Sequence, residues 1–368
     1  MAVTTVADIQ RLAEAKMEEG VRTYITLGAR DGQTLKENSK AFKRLRFRPR
    51  ILVDVEKVNT STTVLGRAVS FPVGLSPSAA HKLVHPAGEI GPAQAAQGAG
   101  TVMILSSLST VTLEDVRTAA RGCLLWQQTY IFRNRSLTES LVKRAAAHGF
   151  AAIVVTADSP VSGDGVLHHP YMSQLPRGLS FANSMAAFSD EAHGCKLQET
   201  YSSDMDTLAS ATLNDIEWLC GLSKLPVVVK GVLTAEAALQ AHHHGAAAVI
   251  VSNHGGRQLD GTPASIDVLP EIVAAVGDKM EVYLDSGVRT GADVVKALAL
   301  GARAVFVGRP VLWGLAYDGR QGVERVLKIL RDELEHTMRL LGCSDIKDLC
   351  EEFLISKNHC SRRFRSTL

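Results

Sequence analysis

The chain alternates short apolar runs with longer amphipathic ones. Eight short runs stand out: Pro72–Leu75, Val102–Leu105, Cys123–Gln127, Ala152–Thr156, Pro226–Val229, Ala248–Val251, Glu281–Leu284 and Ala304–Val307. Each is closed by a small or polar residue. Most are followed by an Ala/Leu-rich stretch with helical spacing, such as Gly88–Gln97, Leu137–Ala147, Ala235–His243, Ile266–Val276 and Gly291–Leu300. Runs that are apolar throughout, rather than at every second residue, predict strands buried on both faces. Strand and helix in alternation predict a parallel sheet. Units of this kind repeated over about 250 residues predict an α/β fold of the closed (β/α)8 TIM-barrel type. The alternative is an open doubly wound sheet. When such a sheet binds a dinucleotide it carries G-x-G-x-x-G after its first strand, and no such run occurs here.

The rhythm leaves both ends of the chain outside it. Residues 1–65 read as an N-terminal helical cap, with one helix over 7–20 (Ile9, Leu12, Ala13, Met17) and another from Asp31 to Lys43. Residues 66–345 read as the barrel, and 346–368 as a C-terminal tail. Inside the barrel, 159–213 has no strong apolar period. A connection that long is expected to be functional. It leaves the C-terminal end of the fourth strand, so it is expected as a lid over that face.

Composition adds bounds. The chain is 46% hydrophobic and 21% charged, with a formal net charge of +2. That balance gives no reason to expect nucleic acid or an anionic membrane as the main partner. The basic cluster Lys357, Arg362, Arg363 and Arg365 reads as a solvated tail. The six cysteines contain no C-x-x-C pair and read as free thiols. No signal-peptide h-region is present, and no apolar run reaches the ~18 residues needed to span a bilayer. His242-His243-His244 cannot converge on one metal, because consecutive helix residues splay ~100° apart.

In a barrel of this kind the C-terminal strand ends meet at one mouth, where chemistry occurs. Those ends are Ser76-Pro77-Ser78-Ala79, Ser106-Ser107, Gln127-Gln128-Thr129-Tyr130, Thr156-Ala157-Asp158, Lys230, Ser252-Asn253-His254, Asp285-Ser286-Gly287-Val288-Arg289 and Gly308-Arg309. The last two combine glycine with arginine. Glycine lets backbone N–H groups approach an oxyanion, and arginine offers a bidentate fork. Loops after strands seven and eight are where such barrels bind phosphate, so a phosphate of a cofactor or substrate is expected there. The sixth end carries a different chemistry. A histidine, His254, suits proton exchange near neutral pH. Gly255-Gly256 keep the backbone bare, and Arg257 follows. A base beside a carboxylate-binding arginine suits proton abstraction next to a carboxylic acid, with Asp158 and Lys230 on the same mouth.

These residues resemble the FMN-dependent 2-hydroxy-acid oxidase family, the group of glycolate oxidase and long-chain 2-hydroxy-acid oxidase. The resemblance spans almost the whole chain. It is carried by SNHGGRQLDG, LDSGVRTGADVVKALALGARAVFVGRP, LPVVVKG and FRPRILVDV. It implies an FMN whose phosphate meets Arg289, Gly308 and Arg309. Pro77, Ser78, Ala79, Ser106, Gln128 and Thr156 would contact the ring and ribityl chain. Ser252, Asp285, Ser286, Gly287 and Val288 complete the cofactor set. Lys230 would sit near the flavin nitrogen where negative charge develops. Tyr24, Tyr130 and Arg257 would bind substrate, His254 would be the base, and Asp158 would pair with its imidazolium. The implied reaction takes a small (S)-2-hydroxy acid and O2 to a 2-oxo acid and hydrogen peroxide, in a homo-oligomer (tetramer or octamer).

Two positions depart from the family pattern. The arginine that serves as a second clamp on the carboxylate is Gly165 here, and His168, His169 or Arg177 are the substitutes at hand. A tryptophan after the second strand is Leu108, which implies an altered pocket. Two further hypotheses stand beside the oxidase. One is a dehydrogenase that passes electrons to a separate protein or quinone, since no C-x-x-C-H haem signature is fused here. The other is a flavin-binding homologue that has lost turnover. The terminal Ser366-Thr367-Leu368 resembles a peroxisomal address.

Overall fold

The computed structural model describes residues 3–161, 163, 175–183 and 206–356. All eight runs form strands of one closed parallel barrel, joined in chain order. The observed strands are Val73–Leu75, Val102–Leu105, Leu124–Thr129, Ile153–Thr156, Val227–Val232, Ala248–Val251, Glu281–Leu284 and Ala304–Val307. The third and fifth run further toward the C-terminal face than their apolar pattern implies. Their extensions contain Gln128 and Lys230, polar residues that are nevertheless buried. The fifth also shifts register against the sixth between Lys230 and Val232.

Inside the barrel one parity of each strand meets at the axis. Val102, Ile104, Trp126, Ala152, Val154, Val228, Ala248, Ile250, Tyr283, Ala304 and Phe306 form a single buried cluster. Three rings dominate it, with Trp126 and Tyr283 5.6 Å apart and Trp126 and Phe306 5.7 Å apart. Gly74 supplies the first strand's inward position, because an added Cβ would fall 2.6 Å from the Phe306 ring. A hairpin, Thr62–Val64 with Arg67–Val69, plugs the N-terminal end and adds Val64 and Val69 to the cluster. Its turn is fastened by Glu281, which accepts from Leu65 N at 3.0 Å and from the Tyr283 hydroxyl. The other parity packs on the surrounding helices, giving the larger core.

Before the barrel come three helices: α1 (Val6–Lys16), α2 (Glu19–Thr26) and α3 (Gln33–Phe42). The helix expected over 7–20 ends at Lys16, and a further helix that the spacing did not predict carries Tyr24. Thr5 starts α1 through a reciprocal cap with Asp8. No side chain of Gly32 can cap α3. Asp260, from the loop after the sixth strand, does so instead, accepting from Gln33 N at 3.1 Å and Thr34 N at 2.8 Å. A long helix follows the eighth strand, Arg309–Leu341, with its path broken at Asp318 and Gly319. Beyond it, Leu354–Ser356 pairs antiparallel with Leu45–Phe47, and Phe353 is fully buried. Residues 357–368, with Lys357, Arg362, Arg363, Arg365 and Ser366-Thr367-Leu368, lie outside the described residues. Cys123, Cys220, Cys343 and Cys350 are free. No described helix is long and apolar enough to cross a membrane, and no described cluster of His, Cys, Asp or Glu could hold a metal ion.

Within the expected lid interval, Ala182 N donates to Ser109 O at 2.9 Å and Asn183 Nδ2 to Ser109 Oγ at 2.7 Å. Arg133 N donates to Asp206 O at 2.8 Å. These described parts therefore rest on the loops after the second and third strands. Arg177 is exposed. Gly165, His168 and His169 lie outside the described residues.

Candidate active site

Side chains on a strand alternate faces with period two. One step of two beyond the apolar interior layer gives Ser76, Ser106, Gln128, Thr156, Lys230, Ser252, Asp285 and Gly308. Every strand thus changes from apolar to polar or bare at the same height. The seven side chains of this layer are all buried, so each needs partners. Gln128 accepts from Ser107 N at 3.0 Å and donates to Thr156 Oγ1 at 3.0 Å. Asp285 accepts from Ser76 Oγ at 3.3 Å and Ser286 Oγ at 2.7 Å, with Lys230 Nζ at 3.7 Å. Ser252 Oγ accepts from His254 N at 3.1 Å. Leu108 bridges the rim, with its N–H on Ser106 Oγ and its carbonyl taking Ala80 N.

His254 adopts a positive φ of 58°, rare for a residue with a side chain. Its Nδ1 lies 2.8 Å from Asp158 Oδ1, which leaves Nε2 for another partner. Burial pushes the Asp158 carboxyl up. The charges of His254 and Lys230 and the hydrogen bonds from His254 and Ser159 outweigh that and hold it down at about 2. The carboxylate is therefore ionised at any working pH. Gly231 takes φ 105°, and an added Cβ there would sit 2.6 Å from the Asp158 side chain.

Arg257 stacks over the Tyr24 ring, its guanidinium carbon 4.9 Å from the centroid. Burial pushes the Tyr130 phenol up, with the neighbouring Asp158 and Tyr24 adding and Arg257 opposing. Tyr24, Tyr130, Asp158 and Arg257 thus lie near one another, with His254 on Asp158. Arg309 adjoins Arg257, donating to the same Leu27 carbonyl, and Arg289 is close enough for its charge to act on Arg309. Burial lowers Arg289 to about 10 and Arg309 to about 9, the latter helped by Arg257 and Arg289. None of the three arginines has a carboxylate ion-pair partner among the described residues, so the mouth holds unbalanced positive charge. Gly308 is the N-cap of the long helix and has no side chain to cap it. An added Cβ there would meet only Ser76 and Ser78, at 3.7 and 3.6 Å. A bare helix N-terminus beside two arginines is an anion site, and it fits a phosphate.

The structure joins the buried polar layer, pairs His254 with Asp158, stacks Arg257 on Tyr24, and revises the reason for three glycines. An added Cβ at Gly256 would strike the Leu35 backbone at 2.6 Å, and one at Gly287 would strike Asn38 O at 2.4 Å. Both glycines serve the close approach of α3, and an added Cβ at Gly255 would fall 2.8 Å from Arg309 Nη1. Sequence reasoning missed the partners that anchor the His254 loop. Asn38 and Asn253 exchange two buried amide hydrogen bonds, at 2.8 and 2.7 Å. The available signal was polar Thr34 and Asn38 at helical spacing with buried Ala41, on what is otherwise an apolar face. Ser159 was also missed. Its hydroxyl donates to Asp158 Oδ1 at 3.2 Å.

Known proteins match this arrangement along nearly the whole chain. Glycolate oxidase 3 of Oryza sativa subsp. japonica is 44% identical over 366 residues, covering 99% of each chain. L-lactate oxidase of Nostoc sp. is 45% identical over 353 residues, 94% of this chain and 96% of that one. Among solved structures, a soluble mutant of the membrane-associated (S)-mandelate dehydrogenase from Pseudomonas putida superposes with a TM-score of 0.88 at 35% identity. It covers 96% of this chain and 100% of its own. Residues 13–356 match the FMN-dependent dehydrogenase family as a whole. The phosphate-ready end of the mouth, the buried polar layer and this match agree: the chain belongs to the FMN-dependent dehydrogenase family and is an oxidoreductase with FMN as its cofactor.

Proposed function

We propose that the protein oxidises an (S)-2-hydroxy acid to the 2-oxo acid, with O2 as electron acceptor and hydrogen peroxide as second product. The observation that carries this is the His254–Asp158 pair, 2.8 Å apart, near a cationic Arg257 that has no carboxylate ion-pair partner among the described residues. Arg257 and the tyrosines Tyr24 and Tyr130 bind the substrate carboxylate. That places the 2-hydroxy carbon against Nε2 of His254. His254 takes the proton, and Asp158 stabilises the imidazolium that results. The aligned fixed charges need no reorganisation during the step.

Bound FMN would supply the acceptor for the two electrons and the second proton that leave the substrate. Arg289 and the backbone at Gly308 and Arg309 would hold its phosphate, flanked by Ser286, Gly287 and Val288. Pro77, Ser78, Ala79, Ser106, Gln128, Thr156 and Ser252 would line the ring and ribityl chain. Lys230, fixed by Asp285, keeps a cation at the floor of the mouth.

Oxidase chemistry is supported by the names of the curated relatives, glycolate oxidase and L-lactate oxidase. The mandelate dehydrogenase likeness supports a second reading, in which another acceptor takes the electrons. Peroxide release and the Ser366-Thr367-Leu368 terminus favour a peroxisome. The test is a panel of short- to long-chain 2-hydroxy acids mixed anaerobically with the yellow holoenzyme. Flavin bleaching is expected, and oxygen should then restore the colour with stoichiometric peroxide. Bleaching reversed only by a dye acceptor selects the dehydrogenase. No bleaching by any member overturns both.

A further inference from the structure

The turn that ends α2 carries Tyr24, and two arginines grip it from below. Arg257 Nη1 donates to Tyr24 O at 2.9 Å and to Leu27 O at 3.2 Å. Arg309 Nε donates to Ile25 O at 2.8 Å and Nη2 to Leu27 O at 2.8 Å. The third nitrogen of Arg309, Nη1, donates to Gly255 O at 2.9 Å. The Arg309 fork thus ties the cap to the loop that bears His254, and shares the Leu27 carbonyl with Arg257. One turn further on, Ala29 N donates to Gly256 O at 2.8 Å and completes the join.

Arg289 is placed differently. It spends one side-chain nitrogen, Nη1, on Val288 O at 2.8 Å and stacks on Trp313 at 5.1 Å. Its Nε and Nη2 have no hydrogen-bond partner among the described residues. A guanidinium is planar and its donors are fixed in direction. Turning Arg309 onto a phosphate would withdraw it from helix-end carbonyls that need a donor. Arg289 can meet a phosphate without breaking anything.

We propose that the two arginines divide the labour. The Arg289 side chain meets the phosphate, whereas the Arg309 side chain is a positioning residue that fastens the Tyr24–Leu27 turn over the mouth, with or without cofactor. Arg309 then reaches the phosphate through its backbone alone. Its effect on substrate goes through Tyr24 and Arg257. That substrate half rests on the function proposed above, but the cap half does not.

The experiment compares Arg309→Lys with wild type in three measurements. These are FMN titration of the stripped protein, steady-state kinetics of the holoenzyme, and amide hydrogen exchange over residues 24–29. Lysine keeps the charge but cannot span three carbonyls. FMN affinity should stay within about threefold and kcat within about threefold, while KM rises about tenfold, as expected for a lost charge-assisted contact. Exchange over the turn should quicken about tenfold. A fall in FMN affinity of about 100-fold with exchange and KM unchanged would overturn the proposal. Wild type gives a second test should the variant not fold. Slow exchange over 24–29 is expected in both stripped and FMN-loaded protein, and protection that appears only with FMN overturns it. If no 2-hydroxy acid bleaches the wild-type flavin, the proposed function falls, yet the titration and exchange results still decide the role of Arg309.

Discussion

The two ends of the barrel interior are built on the same eight strands and the same inward parity, yet they obey opposite rules. At the N-terminal end the layer is Trp126, Tyr283, Phe306 and aliphatic side chains, sealed by the Val64–Val69 hairpin. Two residues further along each strand the layer is Ser76, Ser106, Gln128, Thr156, Lys230, Ser252, Asp285 and Gly308. The first layer is stable because it excludes water and fills space. The second is stable only because its buried polar groups satisfy one another. Stability and chemistry are therefore separated by about 7 Å along a strand, the rise of two residues. Substitutions on either side of that line should fail in different ways.

The largest effect is expected at the mouth. In His254→Asn the side chain can still reach Asp158 but is no longer a base. Turnover should fall about 10³-fold, while the yellow colour and thermal midpoint stay close to wild type. Rapid-mixing bleaching under anaerobic conditions measures the step directly. A variant that loses its flavin or unfolds would show that the mouth also carries the fold, and the separation would break. Trp126→Ala tests the other side. It removes the largest fully buried side chain of the interior, and a loss of about 3–5 kcal/mol is expected from denaturant unfolding. Below its lowered midpoint the variant should keep its KM. A changed KM would show that the aromatic layer shapes the mouth.

The same line marks how much could be read from sequence. All eight strands were visible because their apolar runs are short, continuous and regularly spaced. The chemistry was visible because polar residues at strand ends must face one mouth. What stayed hidden depends on distant partners. Tyr24 lies on α2, a helix of only eight residues beyond the one that the apolar spacing predicts over 7–20. Asp260 caps α3 from across the molecule, so α3 has no local start signal. Gly287 reads as an oxyanion glycine and Gly256 as one that keeps the backbone bare, whereas the space beside them belongs to Asn38 and Leu35. Asn38 sits in an ordinary helix, and only its pairing with Asn253 gives it meaning. Periodicity reports which face is buried, and it is silent on what lies against that face.

The smallest expected effect sharpens the comparison most, because it changes one hydroxyl at the rim of the polar layer. Ser159 donates to Asp158 Oδ1, the oxygen that also faces His254, while Oδ2 is buried with no partner among the described residues. The bond is thus the weaker of two on one oxygen. Removing it in Ser159→Ala should cost about 1 kcal/mol of orientation, or about fivefold in kcat, with KM unchanged. The sign on pH follows from the same contact. A carboxylate held below its unfolded value stabilises the fold above about pH 4, and that stability is lost as pH falls toward about 2. Ser159 is one of the groups holding it down, so its loss should move the acid unfolding midpoint slightly upward. Ser159→Thr keeps the hydroxyl and should restore both kcat and midpoint. If Ser159→Ala moves neither, the His254–Asp158 pair is fixed by packing alone, and the polar layer depends less on hydrogen bonds at its rim than at its floor.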